Sequence, residues 1–503
     1  MKLIGISASL RNLRRGGGSK LLIDELCSIS SREHLTEYIK NQANLSISTF
    51  IRSGCGTSLS FDEIYANLKK DDKRAGLSNS EVLLAAALWK AKSCNIDIEH
   101  ICLSEIIGET SKQLTIRDSF LEKINSADGI LISGPVYFGD RGSLAHSLIQ
   151  LLRHENKYVK DKFVAGISVG AKRNGGQETT LIYQMVDFLN VGMLAVGNDA
   201  ETTAQYGGTG HAGDVGTICS DNYGIDTSIG TGNRIAQAII LKSFSDRFRL
   251  KDKPRIGIIV LQDLKDTAKR LIHENILSTS LSEKADFRLF YFADEKVNRC
   301  LACDVCPCEV GNDDVYRCVI KKEDLFSKYH NDLVDLDALL IGGYSPEHFY
   351  DYRSIYQIFI ERTRYIRRSN YIYSNLLVAP IIFKDIRSRE YLEIRIITSM
   401  IRHHTIMYKP IIFDIQDGTV VNNDSTINDL NHFIDLTKRY VPGRIYYNYK
   451  YLQSVKYNPV GYTLSSAKDF EQDNVKKRNM SLDNRKQHFE QLFKSRVAEY
   501  NEF

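Results

Sequence analysis

The sequence predicts an α/β protein with two parallel, doubly wound sheets in tandem and a helical C-terminal extension. The main observation is that a pattern of short apolar runs alternating with amphipathic helical stretches occurs twice along the chain. Apolar runs of about four to eight residues are typical of buried parallel strands, and their alternation with helices indicates βαβ units. The length of 503 residues also exceeds the roughly 250–300 residues at which a single core stops growing.

The two copies share four strand-like runs in the same order. In the first copy these are KLIGIS (2–7), NIDIEHICLSE (95–105), SADGILISG (126–134) and KFVAGISVG (162–170). Their counterparts in the second copy are RIGIIV (255–260), KADFRLFYFADE (284–295), LDALLIGG (336–343) and NLLVAPIIF (375–383). A helical pattern follows the third run in both copies. Because crossovers between parallel strands are right-handed, each copy is expected to form one doubly wound sheet.

Differences between the copies predict the domain boundaries. We expect a first domain at 1–245, interrupted at about 13–75 by a polar insertion that the second copy lacks. A charged linker at 245–255 leads to a second domain at 254–415. The strand pattern then fades, and residues 416–503 are predicted to form a helical C-terminal extension.

Composition and charge exclude several functional classes. Hydrophobic residues make up 43% and charged residues 25% of the chain, as in ordinary globular proteins. The net charge of +4 gives no reason to expect a nucleic acid partner. We expect no membrane span, because no apolar run approaches the roughly 20 residues that one requires. The apolar part of MKLIGISASL is also too short for a secretory signal, so a cytoplasmic location with reduced thiols is predicted.

The loops that follow the strands of the first copy are the candidate ligand site, because open parallel sheets bind ligands at the carboxyl ends of their strands. The first strand is followed by SASLRNLRRGGGSK (7–20) and, after the insertion, by GLSNSE (76–81). Ser78 and Glu81 form the pattern of a capping box that opens a helix. Serine and asparagine at a helix start also suit a phosphate. On this loop alone, a plain helix cap and a phosphate site are both possible.

Three further loops of the first copy are rich in glycine or aromatic residues. They read SGPVYFGDRGS (133–143), SVGAKRNGGQETT (168–180) and TAQYGGTGHAGDVG (203–216). Tyr137 and Phe138 stand where a flat ring can stack, and glycines let the backbone approach a ligand closely. Taken together, these loops predict a wide site for a flat ligand with a phosphate at one end.

Four motifs of the first copy resemble those of the flavodoxin-like NADPH-dependent FMN reductases. They are GISASLR, SNSE, SGPVYFGDRGSLAHSLI and GGQETTLIYQMVDFLNVGMLAVG. The GGQET loop is particularly similar to that of quinone reductase members of the family. The resemblance covers about 1–245 apart from the insertion, and it implies a flavodoxin-like fold, FMN as cofactor and NAD(P)H as electron donor.

The resemblance also implies which residues contact FMN. Those expected at its phosphate are Ser7, Ser9, Arg11, Ser78, Asn79 and Ser80. Those expected at its isoalloxazine ring are Pro135, Val136, Tyr137, Phe138, Gly139, Ala171, Lys172, Arg173, Asn174, Gly175, Gly176 and Gln177. The insertion separates the first phosphate loop from the helix start, so the sequence departs from the family pattern at this point.

His211 and Tyr137 are the candidate catalytic residues. A nicotinamide would deliver hydride to the flavin, and His211 would then donate a proton to a reduced quinone oxygen. Alternatively, His211 is a turn residue of a glycine-rich loop, and Tyr137 is better suited to contact the ring than to act as an acid. Lys172 and Arg173 would stabilise negative charge on the flavin or bind nicotinamide phosphates, unless they are ordinary exposed bases.

The second copy carries half of the chain's ten cysteines in the run CLACDVCPCEVGNDDVYRC (300–318). Three of them follow a C-x2-C-x2-C spacing just after the second strand, a placement that resembles the iron–sulfur flavoproteins, although the gap before the last cysteine is longer here. The resemblance implies a four-iron, four-sulfur cluster. Zinc binding and free thiols or a regulatory disulfide are the alternatives. The candidate ligands are Cys300, Cys303, Cys306 and Cys318.

The second copy lacks the flavin loops of the first. Its first loop, LQDLKDTAKR (261–270), places Asp263 and Asp266 where they would repel a phosphate, and PVYFG and GGQE have no counterparts. We therefore expect no FMN in this copy. It is predicted to act as the partner of the first copy in a pseudo-dimer within one chain, and a homodimer is the alternative.

Two functions follow from these expectations. The first is an FMN-dependent NAD(P)H oxidoreductase that passes electrons to a quinone-like, flavin or protein acceptor. The alternative is an electron-transfer iron–sulfur flavoprotein, or a scaffold that holds flavin for a partner enzyme. The expected partners are therefore a small-molecule electron acceptor or a redox partner protein.

Overall fold

The computed structural model describes residues 1–11, 18–69, 76–107, 117–199, 205–293, 296–303, 305–306, 311–349, 353–451 and 472–500. The chain divides into two compact units, Met1–Ile239 and Ile240–Phe503. The predicted insertion and C-terminal extension lie partly outside the described residues, at 12–17, 70–75, 452–471 and 501–503. The domain boundaries inferred from the sequence repeat stay predictions.

The first unit alternates strands and helices. Its strands are β1 (Lys2–Ser7), β2 (Asp97–Cys102), β3 (Gly129–Tyr137), β4 (Asp140–Arg141), β5 (Phe163–Gly170), β6 (Leu194–Ala195) and β7 (Gly208–His211). Its helices are α1 (Gly18–Ser28), α2 (Arg32–Arg52), α3 (Phe61–Lys69), α4 (Asn79–Ser93), α5 (Leu103–Ile106), α6 (Arg117–Ser126), α7 (Ser143–His154), α8 (Gln177–Asn190) and α9 (Asn222–Ser245). The boundary between the two units falls within α9.

The sheet of the first unit has the strand order of flavodoxin-like proteins. Its parallel strands run β2–β1–β3–β5, and β6 and β7 both pair with β5. The short strand β4 pairs antiparallel with β3 as a hairpin. Residues 3–7 of β1 are all buried, as expected for a central strand covered on both faces. The carboxyl ends of β1, β3, β5 and β7 therefore meet at one edge of the sheet.

The second unit repeats this alternation. Its strands are β8 (Phe248–Leu250), β9 (Arg255–Asp263), β10 (Asp286–Tyr291), β11 (Ala338–Ser345), β12 (Arg353–Ser354), β13 (Leu377–Asp385), β14 (Ile406–Met407), β15 (Ile411–Gln416), β16 (Thr419–Val420) and β17 (Val497–Glu499). Its helices are α10 (Thr267–Ile272), α11 (Leu281–Lys284), α12 (Leu325–Val334), α13 (Tyr356–Arg362), α14 (Arg364–Asn370), α15 (Leu392–Met400), α16 (Asn423–Lys450) and α17 (Gln472–Arg496).

The second sheet has the same topology as the first. Its parallel strands run β10–β9–β11–β13–β15, and β14 also pairs with β13. Both sheets thus place the first strand of the copy between the second and the third. The sequence-based prediction of an α/β protein with two tandem, doubly wound, flavodoxin-like sheets is confirmed.

The C-terminal extension is helical, as predicted, and it packs on the second unit. Helices α16 and α17 share an apolar cluster with β8 and the end of α9, formed by Phe244, Phe248, Leu250, Val441, Ile445, Tyr447, Phe489 and Val497. Gly443 allows α16 to approach closely, because a Cβ atom there would overlap Ser245 Oγ and the Leu241 carbonyl oxygen. Strand β17 then pairs antiparallel with β8, so the chain end is tied to this unit.

The apolar runs that stand out in the sequence are buried strands. Residues 256–263 of β9 and 377–383 of β13 are buried throughout. Among the residues that the structure describes, no helix has the length and apolar character that crossing a membrane would require.

Candidate functional site

A cleft of about 690 Å³ lies in the first unit at the edge where β1, β3 and β5 end. This volume is within the roughly 300–1,000 Å³ of typical cofactor and small-molecule sites. Nine of the residues expected at a flavin line it, namely Ser9, Arg11, Ser78, Asn79, Ser80, Pro135, Val136, Tyr137 and Ala171. The fold therefore brings together loops that lie far apart in the sequence.

Twelve further residues line the cleft that the sequence analysis did not name individually as flavin contacts. They are Ala8, Leu10, Arg141, Gly142, Ser143, Leu144, Val169, Gly170, Ala212, Gly213, Asp214 and Val215. All except Leu144 lie in loops that the sequence analysis identified as the candidate ligand site. Leu144 lies in the first turn of α7, and the helical pattern directly after that loop was a usable signal for it.

One end of the cleft is formed by the start of α4. Ser78 Oγ accepts the N–H of Glu81 at 3.3 Å, and Glu81 Oε2 accepts the N–H of Ser78 at 3.1 Å, which confirms the capping box. Asn79 and Ser80 follow as the first helical residues, where N–H groups have no partner within the helix. Because both residues line the cleft together with Arg11, this end suits an anion such as a phosphate.

Helix α2 of the insertion supports this helix start. Gln42 Oε1 accepts the N–H of Leu77 at 3.2 Å, and Ser46 Oγ donates to the Leu77 carbonyl oxygen at 2.7 Å. Gly76 passes so close to α2 that a Cβ atom there would lie 2.6 Å from the Ser46 nitrogen. The insertion thus positions the residues just before α4, which its polar composition had not revealed.

Ser7 and Asn79 are held by neighbouring protein groups. Ser7 is fully buried and does not line the cleft; its Oγ lies 2.9 Å from His100 Nε2 and 3.5 Å from Glu81 Oε1. Asn79 does line the cleft, but its Nδ2 donates to the Asp214 carbonyl oxygen at 3.0 Å and its Oδ1 accepts the N–H of Gly216 at 3.2 Å. Ser7 therefore supports Glu81 of the capping box, and Asn79 connects the 212–216 loop to α4.

The other end of the cleft is formed by the loop after β3. Tyr137 lines the cleft and is 59% exposed, whereas Phe138 is fully exposed and does not line it. Phe138 and Gly139 both have positive φ values, +52° and +79°, as a two-residue hairpin turn requires. Gly176 (φ +94°) meets this turn, since a Cβ atom there would lie 2.7 Å from Gly139 Cα. The PVYFG and GGQE loops are therefore in direct contact.

The GGQE loop contributes Ala171 to the cleft, and its remaining residues shape the loop. The N–H of Gly175 donates to the Lys172 carbonyl oxygen at 3.1 Å, which closes a turn that includes Asn174 (φ +62°). Gln177 is buried, and its Nε2 donates to the carbonyl oxygens of Lys172 at 2.8 Å and Gly210 at 3.0 Å. Gln177 thus ties the loop to β7, and the Lys172 side chain lies in an exposed position.

Arg173 and His211 lie beside each other and share the buried carboxylate of Asp221. Arg173 Nη2 donates to Asp221 Oδ1 and lies 2.9 Å from His211 Nδ1, which is itself 3.1 Å from Asp221 Oδ2. The Arg173 guanidinium also lies 4.8 Å from the centre of the Tyr223 ring. Neither Arg173 nor His211 lines the cleft. Arg173 is therefore engaged in an ion pair and is not an ordinary exposed base.

The four candidate cysteine ligands line one small cavity in the second unit. Cys300, Cys303, Cys306 and Cys318 share it with the apolar side chains of Leu301, Val305, Val319 and Ile320, and its volume is about 20 Å³. Cys308 lies outside the described residues. Among the side chains that the structure describes, no three His, Cys, Asp or Glu residues are arranged to hold a single metal ion. A volume of about 20 Å³ has room for roughly one water molecule, so the described residues do not enclose the space of a four-iron cluster.

Two arginines lie at the cysteine cavity. Arg364 Nη1 is 3.9 Å from Cys300 Sγ. Arg362 is buried, and its Nη2 pairs with Asp324 Oδ2 at 2.6 Å. Burial by itself would lower the pKa of Arg362, but the hydrogen bond and the negative charge of Asp324, together with other nearby groups, raise that pKa, so the guanidinium stays charged. Asp324 balances Arg362, and Glu361 also lines the cavity, so side chains of both charges lie beside the cysteines.

In the second unit, a side-chain carboxylate occupies the helix start that corresponds to α4. Asp263 Oδ1 accepts the N–H groups of Leu264 at 2.7 Å and Ala268 at 2.8 Å, and Oδ2 accepts the N–H of Lys269 at 3.2 Å and the Tyr291 hydroxyl at 2.9 Å. Asp263 is 4% exposed. The Asp263 carboxylate thus accepts N–H groups at the start of α10. Its negative charge at this position is a physical reason to expect no flavin phosphate in this copy.

The chain matches characterised proteins at the level of sequence. Residues 64–206 match the family of NADPH-dependent FMN reductases. An iron–sulfur flavoprotein of Methanosarcina thermophila is 40% identical over 138 residues, which are 24% of this chain and 72% of that protein. An iron–sulfur flavoprotein of Methanocaldococcus jannaschii is 36% identical over 126 residues, 25% of this chain. The match spans 65% of that relative, just under two thirds of its length.

The match to a solved structure of a flavone reductase covers 48% of this chain and 63% of that protein. The identity is 16% and the TM-score is 0.26, so this match carries no argument. The sequence matches and the two flavodoxin-like sheets agree with each other. The chain belongs to the family of the iron–sulfur flavoproteins, and its residues 64–206 match the family of NADPH-dependent FMN reductases.

Proposed function

We propose that the first unit is an FMN-dependent oxidoreductase that takes electrons from NAD(P)H and passes them to a quinone-like, flavin or protein acceptor. The observation that carries the proposal is the cleft at the sheet edge, where a helix start suited to a phosphate and an aromatic loop suited to a flat ring line one space. The match of residues 64–206 to the family of NADPH-dependent FMN reductases supports it. The cytoplasmic location expected from the sequence agrees with the use of NAD(P)H.

The residues of the cleft fit FMN in their chemistry. At the phosphate end, Ser9, Arg11 and Ser80 offer a hydroxyl group, a positive charge and a helix-start N–H. At the ring end, Pro135 and Tyr137 offer flat apolar surface. When bound there, FMN supplies the hydride-accepting and electron-donating chemistry, and the chain positions it and tunes its charge.

His211 is the proposed proton donor to a reduced acceptor. Arg173 Nη2 can only donate, so Nδ1 accepts this hydrogen bond and the ring proton lies on Nε2, the nitrogen that would transfer it. The His211 side chain is 43% exposed, which leaves it open to solvent for reprotonation. Tyr137, the other candidate, is proposed to contact the ring.

Phosphate binding by Arg11 predicts that the protein distinguishes FMN from riboflavin. A charge-assisted hydrogen bond contributes about 1.5–3 kcal/mol, so Arg11→Ala is expected to raise the Kd for FMN by about tenfold or more and to leave the Kd for riboflavin unchanged. Fluorescence titration of the apoprotein with each flavin measures both constants. Lys92→Ala, which removes an exposed cation from the other end of α4, is the matched control and should change neither. Equal affinity of the unaltered protein for FMN and riboflavin would contradict this site.

The reductase activity is tested by anaerobic addition of NADPH, and separately NADH, to the FMN-loaded protein. We expect at least one nucleotide to bleach the visible absorbance of the bound flavin. His211→Asn should leave this bleaching unchanged but slow the turnover of a quinone acceptor by about 100-fold or more, as expected when a general acid is lost. A flavin that neither nucleotide reduces would contradict the proposed activity.

Electron transfer through an iron–sulfur cluster in the second unit is a second candidate function. It is favoured by the four cysteines that share one cavity and by Arg364, whose Nη1 lies 3.9 Å from Cys300 Sγ. The relatives from the two methanogens are named iron–sulfur flavoproteins, which supports the same reading. Alternatively, the protein is a scaffold that holds flavin for a partner enzyme. It would then use the same two sites but would not itself turn over a substrate.

Metal analysis of anaerobically purified protein separates the possibilities for the cysteines. A cluster predicts about four iron atoms and four acid-labile sulfides per chain, and Cys318→Ser should remove most of them. Cys27→Ser, which changes an exposed cysteine of the first unit, is the control and should retain them. Zinc in place of iron would identify a structural metal site, and absence of both metals would rule out this candidate function.

A further inference from the structure

The Arg141 side chain is a buried cation with two nitrogen atoms that lack a hydrogen-bond partner. It lines the cleft and is 9% exposed. Its Nη2 donates to Asp187 Oδ2 on α8, whereas Nε and Nη1 are buried without a partner. The Asp140 carboxylate is 3.9 Å from Nη1, too far for a hydrogen bond. The guanidinium is thus anchored on one side and unsatisfied on the other.

This arrangement costs stability unless a ligand completes it. A buried, unsatisfied donor costs about 1–3 kcal/mol, and more when the group is charged. Asp187 cannot neutralise Arg141 by itself, because it also accepts a hydrogen bond from Arg153 Nη2 at 2.7 Å. Asp140 and Asp187 balance the charges of Arg141 and Arg153, so the unsatisfied N–H groups of Nε and Nη1 are what indicate a ligand with hydrogen-bond acceptors at this position.

The chemistry of the flavin ring indicates which acceptors these are. The dimethylbenzene edge of isoalloxazine carries no acceptor, whereas the pyrimidine edge carries carbonyl oxygens and ring nitrogens that become more negative on reduction. The proposed site assigns the FMN phosphate to Arg11 and the start of α4. Arg141 lies instead in the strand that follows the aromatic loop, where it pairs with Val136.

We propose that Arg141 is a binding residue for the pyrimidine edge of FMN and that it holds the reduced flavin more tightly than the oxidised one. This inference rests on the proposed function, since it assumes that FMN occupies the cleft. Asp187 is the positioning residue, because its hydrogen bond to Nη2 fixes the guanidinium and leaves Nε and Nη1 as the nitrogens without a protein partner. Hydrogen bonds donated to the more negative reduced ring would make the bound flavin a better electron acceptor from NAD(P)H.

The test compares oxidised and reduced FMN in variants of the full chain. We measure the Kd of oxidised FMN by fluorescence and the two-electron midpoint potential by equilibration with a reference dye. Arg141→Gln is expected to weaken the binding of reduced FMN at least tenfold more than that of oxidised FMN, which lowers the midpoint by about 30 mV or more. Arg141→Lys, which keeps the charge, should recover most of this difference.

Arg153→Gln is the matched control, because it removes the other arginine of Asp187 but lies outside the cleft lining and is 51% exposed. It should leave the midpoint close to that of the unaltered protein. Where Arg141→Gln does not fold, Arg141→Met fills similar space without charge and is expected to shift the midpoint in the same direction.

Three outcomes would overturn the inference. The first is an unchanged midpoint in the charge-removing variants, and the second is an equal shift in Arg153→Gln. The third is a change in the KM for NADPH with no change in midpoint, which would make Arg141 a nucleotide-binding residue. A failure of the unaltered protein to bind FMN at all would instead overturn the proposed function itself, so the two failures are distinguishable.

Discussion

The candidate site depends on how the N–H groups at the start of the helix after the first strand are satisfied. In the first unit, Ser78 and Glu81 cap α4 and leave Asn79 and Ser80 at the cleft. In the second unit, the carboxylate of Asp263 accepts the corresponding N–H groups. A helix start attracts one anion strongly, and a buried carboxylate takes the place that a phosphate would use. Two sheets of the same topology thereby acquire different chemistry.

The second unit has additional contacts near its cysteines. Residues 311–313, which precede Cys318, are held by helix α17, because Arg485 pairs with both oxygens of Asp313, at 2.5 and 2.7 Å. Ser481 Oγ donates to the Gly311 carbonyl oxygen of the same segment. The extension therefore contacts the described part of the cysteine run and also covers an apolar surface.

The strands, their order and the main loops could be predicted from the sequence. Strands buried on both faces have a strong apolar pattern, and the parallel order follows from the repeat. The contacts of individual side chains within loops could not be predicted. Gln177 and Arg173 belong to motifs expected at the ring, yet the structure pairs them with Gly210 and Asp221, residues far along the chain. Such partners depend on loop conformation, including positive φ values at Phe138 and Asn174, which no local pattern specified.

The residues that support the site could not be predicted from the sequence either. Helix α2 lies in an insertion whose polar composition gave no sign that Gln42 and Ser46 would bind the segment before α4. Asp263 was expected only to repel a phosphate, whereas the structure shows it bound to the helix start. The difference is physical, because repulsion can be inferred from charge alone, but replacement of the ligand by a carboxylate requires the geometry of the turn.

The number of FMN molecules bound per chain distinguishes a helix start that lines a cleft from one that a carboxylate fills. We expect one FMN, held by the first unit, because the start of α4 lines the cleft and that of α10 is filled by Asp263. Calorimetric titration of the apoprotein with FMN measures this number. A stoichiometry of two, or of none, would contradict these assignments.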